Sequence, residues 1–333
     1  MPESVKCVDW MRMMQWAEQQ AVVGVIYGGI QRAGKTLDIP FGDLMEWIGY
    51  AQQIEAQNRL MNKKCVEVVS EYQRAGFNCM LLKGQGNAKT WSSPLLRNPG
   101  DIDILITDKR RKEIVQYVKR RKSLTGYHFH HIEYEEDNVP VEIHFFACSL
   151  NNPVYRNRLN NWLAKKSECI LVQIPNEAKS IPVPTWEYNA VFQLAHMMHH
   201  FFDEGIGLRQ FVDYYYLLKS AEPARKTDLN KTLQYLNLYN FAGAVMYVLE
   251  EALGMEERYL LVPADERRGK TLLKEVLKGG NFGQHSGLTN HSIGTKHFLK
   301  IWRNLHFVRE YPAEALCEPF FRTWHFFWRL LHR

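Results

Sequence analysis

The residues best placed to do chemistry lie in Arg97-Asn98-Pro99-Gly100-Asp101-Ile102-Asp103-Ile104-Leu105-Ile106. If this segment is a strand, side chains two apart share a face, so Asp101 and Asp103 project together while Ile102, Ile104 and Ile106 point into a core. Two carboxylates held side by side repel, and a divalent cation relieves the repulsion. Hard oxygen donors of this kind suit Mg²⁺ or Mn²⁺. A third acid on a neighbouring strand completes such a site. Val141-Glu142-Ile143-His144-Phe145 offers one, with Val141, Ile143 and Phe145 on an apolar face and Glu142 and His144 on the other. Acids in this arrangement serve a two-metal displacement at phosphorus, in which the metals orient an attacking hydroxyl and neutralise a polyphosphate. Upstream, Leu81-Leu82-Lys83-Gly84-Gln85-Gly86-Asn87 reads as a strand end, a glycine turn and a helix start. There backbone N–H groups face phosphate oxygens and Lys83 adds charge.

The elements that must position these groups follow from periodicity. Residues 8 to 77 are helical in pattern, interrupted at Asp38-Ile39-Pro40-Phe41-Gly42-Asp43, where Asp43 is expected to cap the next helix. Within that helix Leu60, Cys65, Val68 and Val69 form the apolar stripe, and Gly76 ends it. The period then changes. Cys79 to Leu82 is an apolar run, Asp101 to Ile106 alternates, Lys109 to Arg121 is helical, and Tyr127 to Glu133 and Val139 to Phe146 alternate across an Asp137-Asn138 turn. Pro175 to Pro184 reads as a boundary. Helices are expected at Trp186 to Phe202, Leu208 to Ser220, Leu229 to Leu236, Phe241 to Leu253, Gly269 to Leu277 and over the last forty residues, with Gly279 to Gly294 as a loop. The expected fold is α+β: an N-terminal helical segment (1–75), a small mixed-sheet core (76–185) and a C-terminal helical domain (186–333).

The series Leu-Lys-Gly at 82–84, Arg-x-x-Gly-Asp-Ile-Asp-Ile-Leu from Arg97, and Val-Glu-Ile-His from Val141 resembles the uncharacterised bacterial nucleotidyltransferases of the DNA polymerase beta-like superfamily. Leu194-Ala195-His196-x-x-x-His200 and Gly207-Leu208-Arg209-Gln210-x-x-Asp213 look like that family's helical half, so the likeness runs to about residue 250. It implies that Asp101 and Asp103 are metal ligands, that Glu142 is the third acid, and that Lys83, Gly84, Gln85, Arg97 and Gly100 surround the phosphates of an NTP. The implied reaction moves a nucleoside monophosphate, with Mg²⁺ and release of pyrophosphate, to a hydroxyl or phosphate on a small molecule, a protein or an RNA end. His144, His200 and Arg209 are the candidate acceptor contacts. Most active members carry Gly-Ser where this chain has Gly84-Gln85, so one hydroxyl is missing, which favours a nucleotide-binding protein without turnover as the second reading.

Other signals are weaker. Gly29-Ile30-Gln31-Arg32-Ala33-Gly34-Lys35-Thr36 satisfies the P-loop pattern, but Pro40 and Gly42 follow within six residues, so Gly34 is expected to end a helix instead. His196, His199, His200 and Asp203 could bind a metal, although packing within a cleft is the preferred reading. Arg209 and Asp213, at i and i+4, are expected to pair. Lys109 to Lys112 and Lys119 to Lys122 read as the solvated face of a helix rather than an RNA track, and no DNA-binding motif is present. The aromatic and basic tail from Phe320 to Arg333 is expected to dock on the body or in a homodimer. The chain of 333 residues has 46% hydrophobic residues and a net charge of +6, an ordinary globular composition with a mild preference for anions. Six cysteines lack any C-x-x-C spacing, the first residues lack the layout of a secretory signal, and no apolar run reaches the roughly 20 residues of a membrane span. Cytoplasmic residence is the expectation.

Overall fold

The computed structural model describes residues 8–108, 110–221, 229–281 and 293–331, so Cys7, Lys109, Arg333 and most of the expected 279–294 loop lie outside the described residues. Three helices open the chain. Asp9 caps α1 (Trp10–Gln19) by accepting from Arg12 N–H, and α2 (Val23–Ala33) stops at Gly34, whose φ of 55° a glycine adopts without strain. The P-loop-like stretch is thereby divided: Gly29 sits inside α2, residues 34–36 form one 3-10 turn, and Thr36 Oγ1 donates back to Ala33 O. No strand leads into that turn, so the pattern has no cradle for phosphate.

The third helix, α3 (Phe41–Arg74), runs for 34 residues. Pro40 occupies its cap and Asp43 lies in the first turn, correcting the expected cap: proline presets the entry dihedral one residue before the chain becomes helical. Its inner stripe is Ile54, Met61, Cys65, Val68, Val69 and Tyr72; Leu60 faces solvent at 37% exposure, because a helix turns 100° per residue and Met61 takes the inward phase.

The central sheet has the order β1-β2-β5-β4-β3. Its strands are β1 (Cys79–Leu82), β2 (Ile102–Ile106), β3 (Leu124–Tyr127), β4 (His131–Glu136) and β5 (Val139–His144), with β2 and β5 parallel and the other neighbours antiparallel. A short helix α4 (Lys83–Ala88) follows β1 directly, and α5 (Arg111–Arg121) follows β2, burying Ile114 and Val118. The alternation expected through Tyr127 to Glu133 is broken by a turn at 128–130, where His128 N–H donates to His131 O. Asp137 and Asn138, at φ 50° and 63°, make the tight β4–β5 turn that was expected of them.

Two elements were not foreseen: α6 (Pro153–Lys165), capped by Asn152, and the hairpin of β6 (Cys169–Gln173) and β7 (Ser180–Pro184). The proline-bearing stretch read as a boundary is half of that hairpin. It sends Val172, Ile174, Ile181 and Val183 into the core beneath the sheet with Ile102, Ile104, Val141 and Ile143. The remaining helices are α7 (Trp186–Asp203), α8 (Leu208–Lys219), α9 (Leu229–Tyr235), α10 (Tyr239–Leu253), α11 (Glu266–Gly279), α12 (Ile293–Leu305) and α13 (Pro312–Leu331). They share a second core with the N-terminal helices, in which Trp10, Met14 and Trp47 join Phe192, Phe211, Tyr214 and Ala315. Each large side chain buried there stabilises the fold by about 1.5–3 kcal/mol. As expected, α13 docks on the body: Trp324 meets the Phe129 ring at 4.8 Å and Trp328 the Tyr127 ring at 5.4 Å. Among the described residues no helix is long and apolar enough to cross a membrane.

Candidate active site

The parallel register pairs Asp103 with Glu142 and Leu105 with His144. Because the isoleucines on either side of Asp103 fill the core beneath, the sheet's other face carries Asp103, Glu142 and His144 together. His144 Nε2 lies 2.9 Å from Asp103 Oδ1 and 3.1 Å from Glu142 Oε2. Burial alone lowers the affinity of His144 for its second proton, but hydrogen bonds to the two carboxylates outweigh it and push the pKa up to about 9. For Asp103, burial favours the neutral acid, yet the Lys83 ammonium and the His144 hydrogen bond hold it below the ordinary carboxylate value. Glu142 is likewise held down against burial, chiefly by His144 and then by His131.

Lys83 reaches this cluster because the chain kinks at the end of β1. Its own φ is 41° and Gly84 follows at φ 39° and ψ −120°. Left-handed backbone at a lysine costs about 1 kcal/mol, so the contacts beyond it must hold it there. They do: Nζ lies 2.9 Å from Asp103 Oδ1 and donates to His196 Nε2 at 2.9 Å. Burial opposes the ammonium, and Asp103, Asp101 and Glu142 together keep its pKa raised. His196 Nε2 also faces His200 Nε2 at 3.1 Å. Burial first, then Lys83 and His200, drive the His196 pKa well below the usual imidazole value, leaving a neutral ring that accepts from Lys83.

The donor atoms of Asp103, Glu142 and His144 all lie within 4.8 Å of one another. The two carboxylates are the hard oxygen donors a divalent cation would take; a protonated His144 offers it no lone pair, and the Lys83 ammonium and the imidazolium hold the place of the charge that such a cation would supply. Asp101 sits one residue before β2, half-buried, and lines the same cavity without belonging to that close set.

The loop ahead of Asp101 is held by two buried arginines. Arg97 donates through Nε and Nη2 to both oxygens of Asp213, at 2.8 and 2.9 Å, and through Nη1 to Asn98 O; Trp91 Nε1 adds a bond to Asp213 Oδ1 at 3.1 Å. Arg97 thus makes the two-pronged pair with Asp213, whose charge also acts on the buried Arg209. Arg209 instead donates from Nη1 to Pro99 O at 3.0 Å and approaches Gly100 so closely that a Cβ there would lie 3.0 Å from it. Gln85, expected beside the phosphates, is 2% exposed and turned towards α3, where Nε2 donates to Asn58 and Asn62 Oδ1. An amide that can satisfy two buried asparagines has no reason to face water.

These groups line a cavity of about 570 Å³. Lys83, Gly84, Arg97, Gly100, Asp101, Asp103, Glu142, His144, His200 and Arg209 all border it, and Gln85 does not. Its walls add residues that sequence reasoning missed: His128 and His130 from the β3–β4 turn, His131 and Glu133 from β4, and Phe321, Arg322, His325 and Arg329 from α13. Eight of the chain's 13 histidines border this one cavity, a concentration that shows in the sequence as the run His128-Phe129-His130-His131 and the helical cluster His196, His199 and His200.

The model of a family described as uncharacterised nucleotidyltransferase matches residues 6–254, which include every expected site residue and exclude α11 to α13. No curated protein matches the chain. Among solved structures, an antigenic nucleotidyltransferase-like protein from Paracoccidioides brasiliensis is similar at a TM-score of 0.40 and 10% identity, over 62% of this chain and 94% of that one.

Proposed function

Because the chain belongs to the uncharacterised nucleotidyltransferase family, we propose that it transfers a nucleoside monophosphate from an NTP to a hydroxyl or phosphate acceptor, with Mg²⁺ or Mn²⁺ held by Asp103, Glu142 and Asp101. The observation that carries this reading is the register of Asp103 opposite Glu142 on one polar face, with both carboxylates kept ionised. The bound cation supplies charge neutralisation at the phosphates and a lowered pKa for the acceptor hydroxyl. The chain's own residues do the rest. Lys83 stands at the glycine turn, poised to exchange Asp103 for phosphate oxygens, and Gly84 lets backbone N–H groups approach them. His144 keeps a proton at Nε2 between the two acids and so holds their oxygens in place. His200 and the neutral His196 border the space facing the sheet, where an acceptor is oriented. Arg97 and Arg209 act one step back, latching the 97–100 loop that delivers Asp101.

The missing hydroxyl at Gln85 and the prior neutralisation of Asp103 by Lys83 favour one alternative, nucleotide binding without turnover. Incubation with labelled NTPs, Mg²⁺ or Mn²⁺ and cell extract distinguishes the two. Transfer of label to protein, RNA or a small molecule, abolished in a folded Asp103→Asn variant, is the expected result. Label that binds but never transfers supports the alternative, and transfer undiminished in Asp103→Asn overturns the assignment of the site.

A further inference from the structure

Beyond the Asp103–Glu142 pair the polar face continues across β4 to the end of β3. His131 lies directly opposite His144 and Glu133 directly opposite Glu142. Like charges facing each other across adjacent strands destabilise a sheet, so the pair draws positive or metal-binding groups to it; His144 serves Glu142, which leaves Glu133 to its own neighbours. The residues around Glu133 supply donors for a cation. His131 Nε2 lies 2.6 Å and His128 Nε2 3.0 Å from Glu133 Oε1, and all three donor atoms fall within 4.8 Å of one another.

An independent sign comes from the other nitrogen of His131. That residue is 7% exposed, and its Nδ1 has no hydrogen-bond partner among the described residues, although it faces Glu142 Oε2 at 3.7 Å. A neutral imidazole has one N–H. Placed on Nε2 it serves Glu133 and leaves a buried lone pair aimed at a carboxylate; placed on Nδ1 it serves Glu142 and turns a lone pair on Glu133 at 2.6 Å. A metal ion on Nε2 removes the choice, because the proton then stays on Nδ1, turned towards Glu142 Oε2 at 3.7 Å, in the sense of the carboxylate–histidine–metal arrangement that orients metal-bound imidazoles.

We infer that His128, His131 and Glu133 form a second cation site, selective for a borderline divalent ion of the zinc type, with Glu142 as its outer carboxylate. Two imidazole nitrogens and one carboxylate oxygen suit Zn²⁺ with a position left open, whereas Mg²⁺ prefers oxygen throughout. Glu142 then touches both cation sites, so occupancy of one adjusts the other. The second site rests on these side chains alone; only its coupling through Glu142 rests on the nucleotidyl-transfer reading.

The test is calorimetric titration of Zn²⁺ into the full chain after chelator treatment, with the visible absorption of Co²⁺ as a second reading of the ligand set. One site per chain is expected. His128→Ala, at a half-exposed turn position that tolerates substitution, and Glu133→Gln should each weaken it at least about 10-fold; Glu142→Gln should weaken it about 10- to 100-fold, and Asp103→Asn should leave it unchanged. Absence of Zn²⁺ binding overturns the inference. So does affinity unaltered in both His128→Ala and Glu133→Gln, loss confined to His130→Ala, or loss in Asp103→Asn with His128→Ala unaffected.

Discussion

Replacing Asp213 with alanine removes the acceptor of three buried hydrogen bonds at once, two from Arg97 and one from Trp91. Arg97 is 4% exposed, so its guanidinium cannot turn to water without moving the loop it anchors. Breaking one side of a buried ion pair costs about 3–5 kcal/mol, and a stranded indole N–H adds about 1 kcal/mol, for a total of about 4–6 kcal/mol. Removing both charges is a different perturbation, since no uncompensated ion remains. The double variant Arg97→Met with Asp213→Leu should therefore unfold at a higher urea concentration than Asp213→Ala. Urea unfolding followed by circular dichroism reads both. A cost for Asp213→Ala below about 1 kcal/mol, the worth of an exposed pair, or a double variant weaker than the single one, would refute the view that this pair is a buried latch.

Stability in the presence of chelator should depend on pH through His144. Its pKa rises from 6.5 to about 9 on folding, so its contribution is complete below pH 6.5 and lost as pH rises through 9. The stability difference between the natural chain and His144→Gln should shrink across that window by up to about 3 kcal/mol, and parallel curves would contradict the assignment. Gly24→Ala should destabilise by more than the about 1–3 kcal/mol of ordinary overpacking. A Cβ at Gly24 would lie 1.8 Å from Leu96 O, which is backbone and cannot swing aside. An unchanged melting temperature in that variant would show that α2 does not rest on the 94–96 turn.

The strands that carry the acids were legible because each alternates cleanly: isoleucine beneath, carboxylate above in β2, and the same in β5 with Glu142 and His144. Alternation says nothing about a turn that keeps phase, which is why the break at His128 to His130 was read through. Helix α6 buries only Leu159 and Leu163, too few to print a stripe, and β6 leaves Ile170 and Leu171 exposed, so its pattern imitates a linker. Partner choice was the least legible feature. The i,i+4 rule offers Asp213 a neighbour on its own helix, whereas Arg97 arrives 116 positions away in sequence and brings a two-pronged fork. Gln85 was misplaced for a related reason: its partners Asn58 and Asn62 lie on a helix whose proximity only the folded chain reveals.

The placement of α13 over the carboxylate floor has a consequence for how the protein is made. Floor residues such as Lys83 and Asp103 leave the ribosome long before Phe321 and Arg329, and contacts between stretches so distant in sequence close late in folding. During synthesis the acids and histidines therefore stand open to water and to passing cations. The pocket gains its α13 wall only with the final helix, so a chain cut short before it would keep its acidic floor and lose that cover.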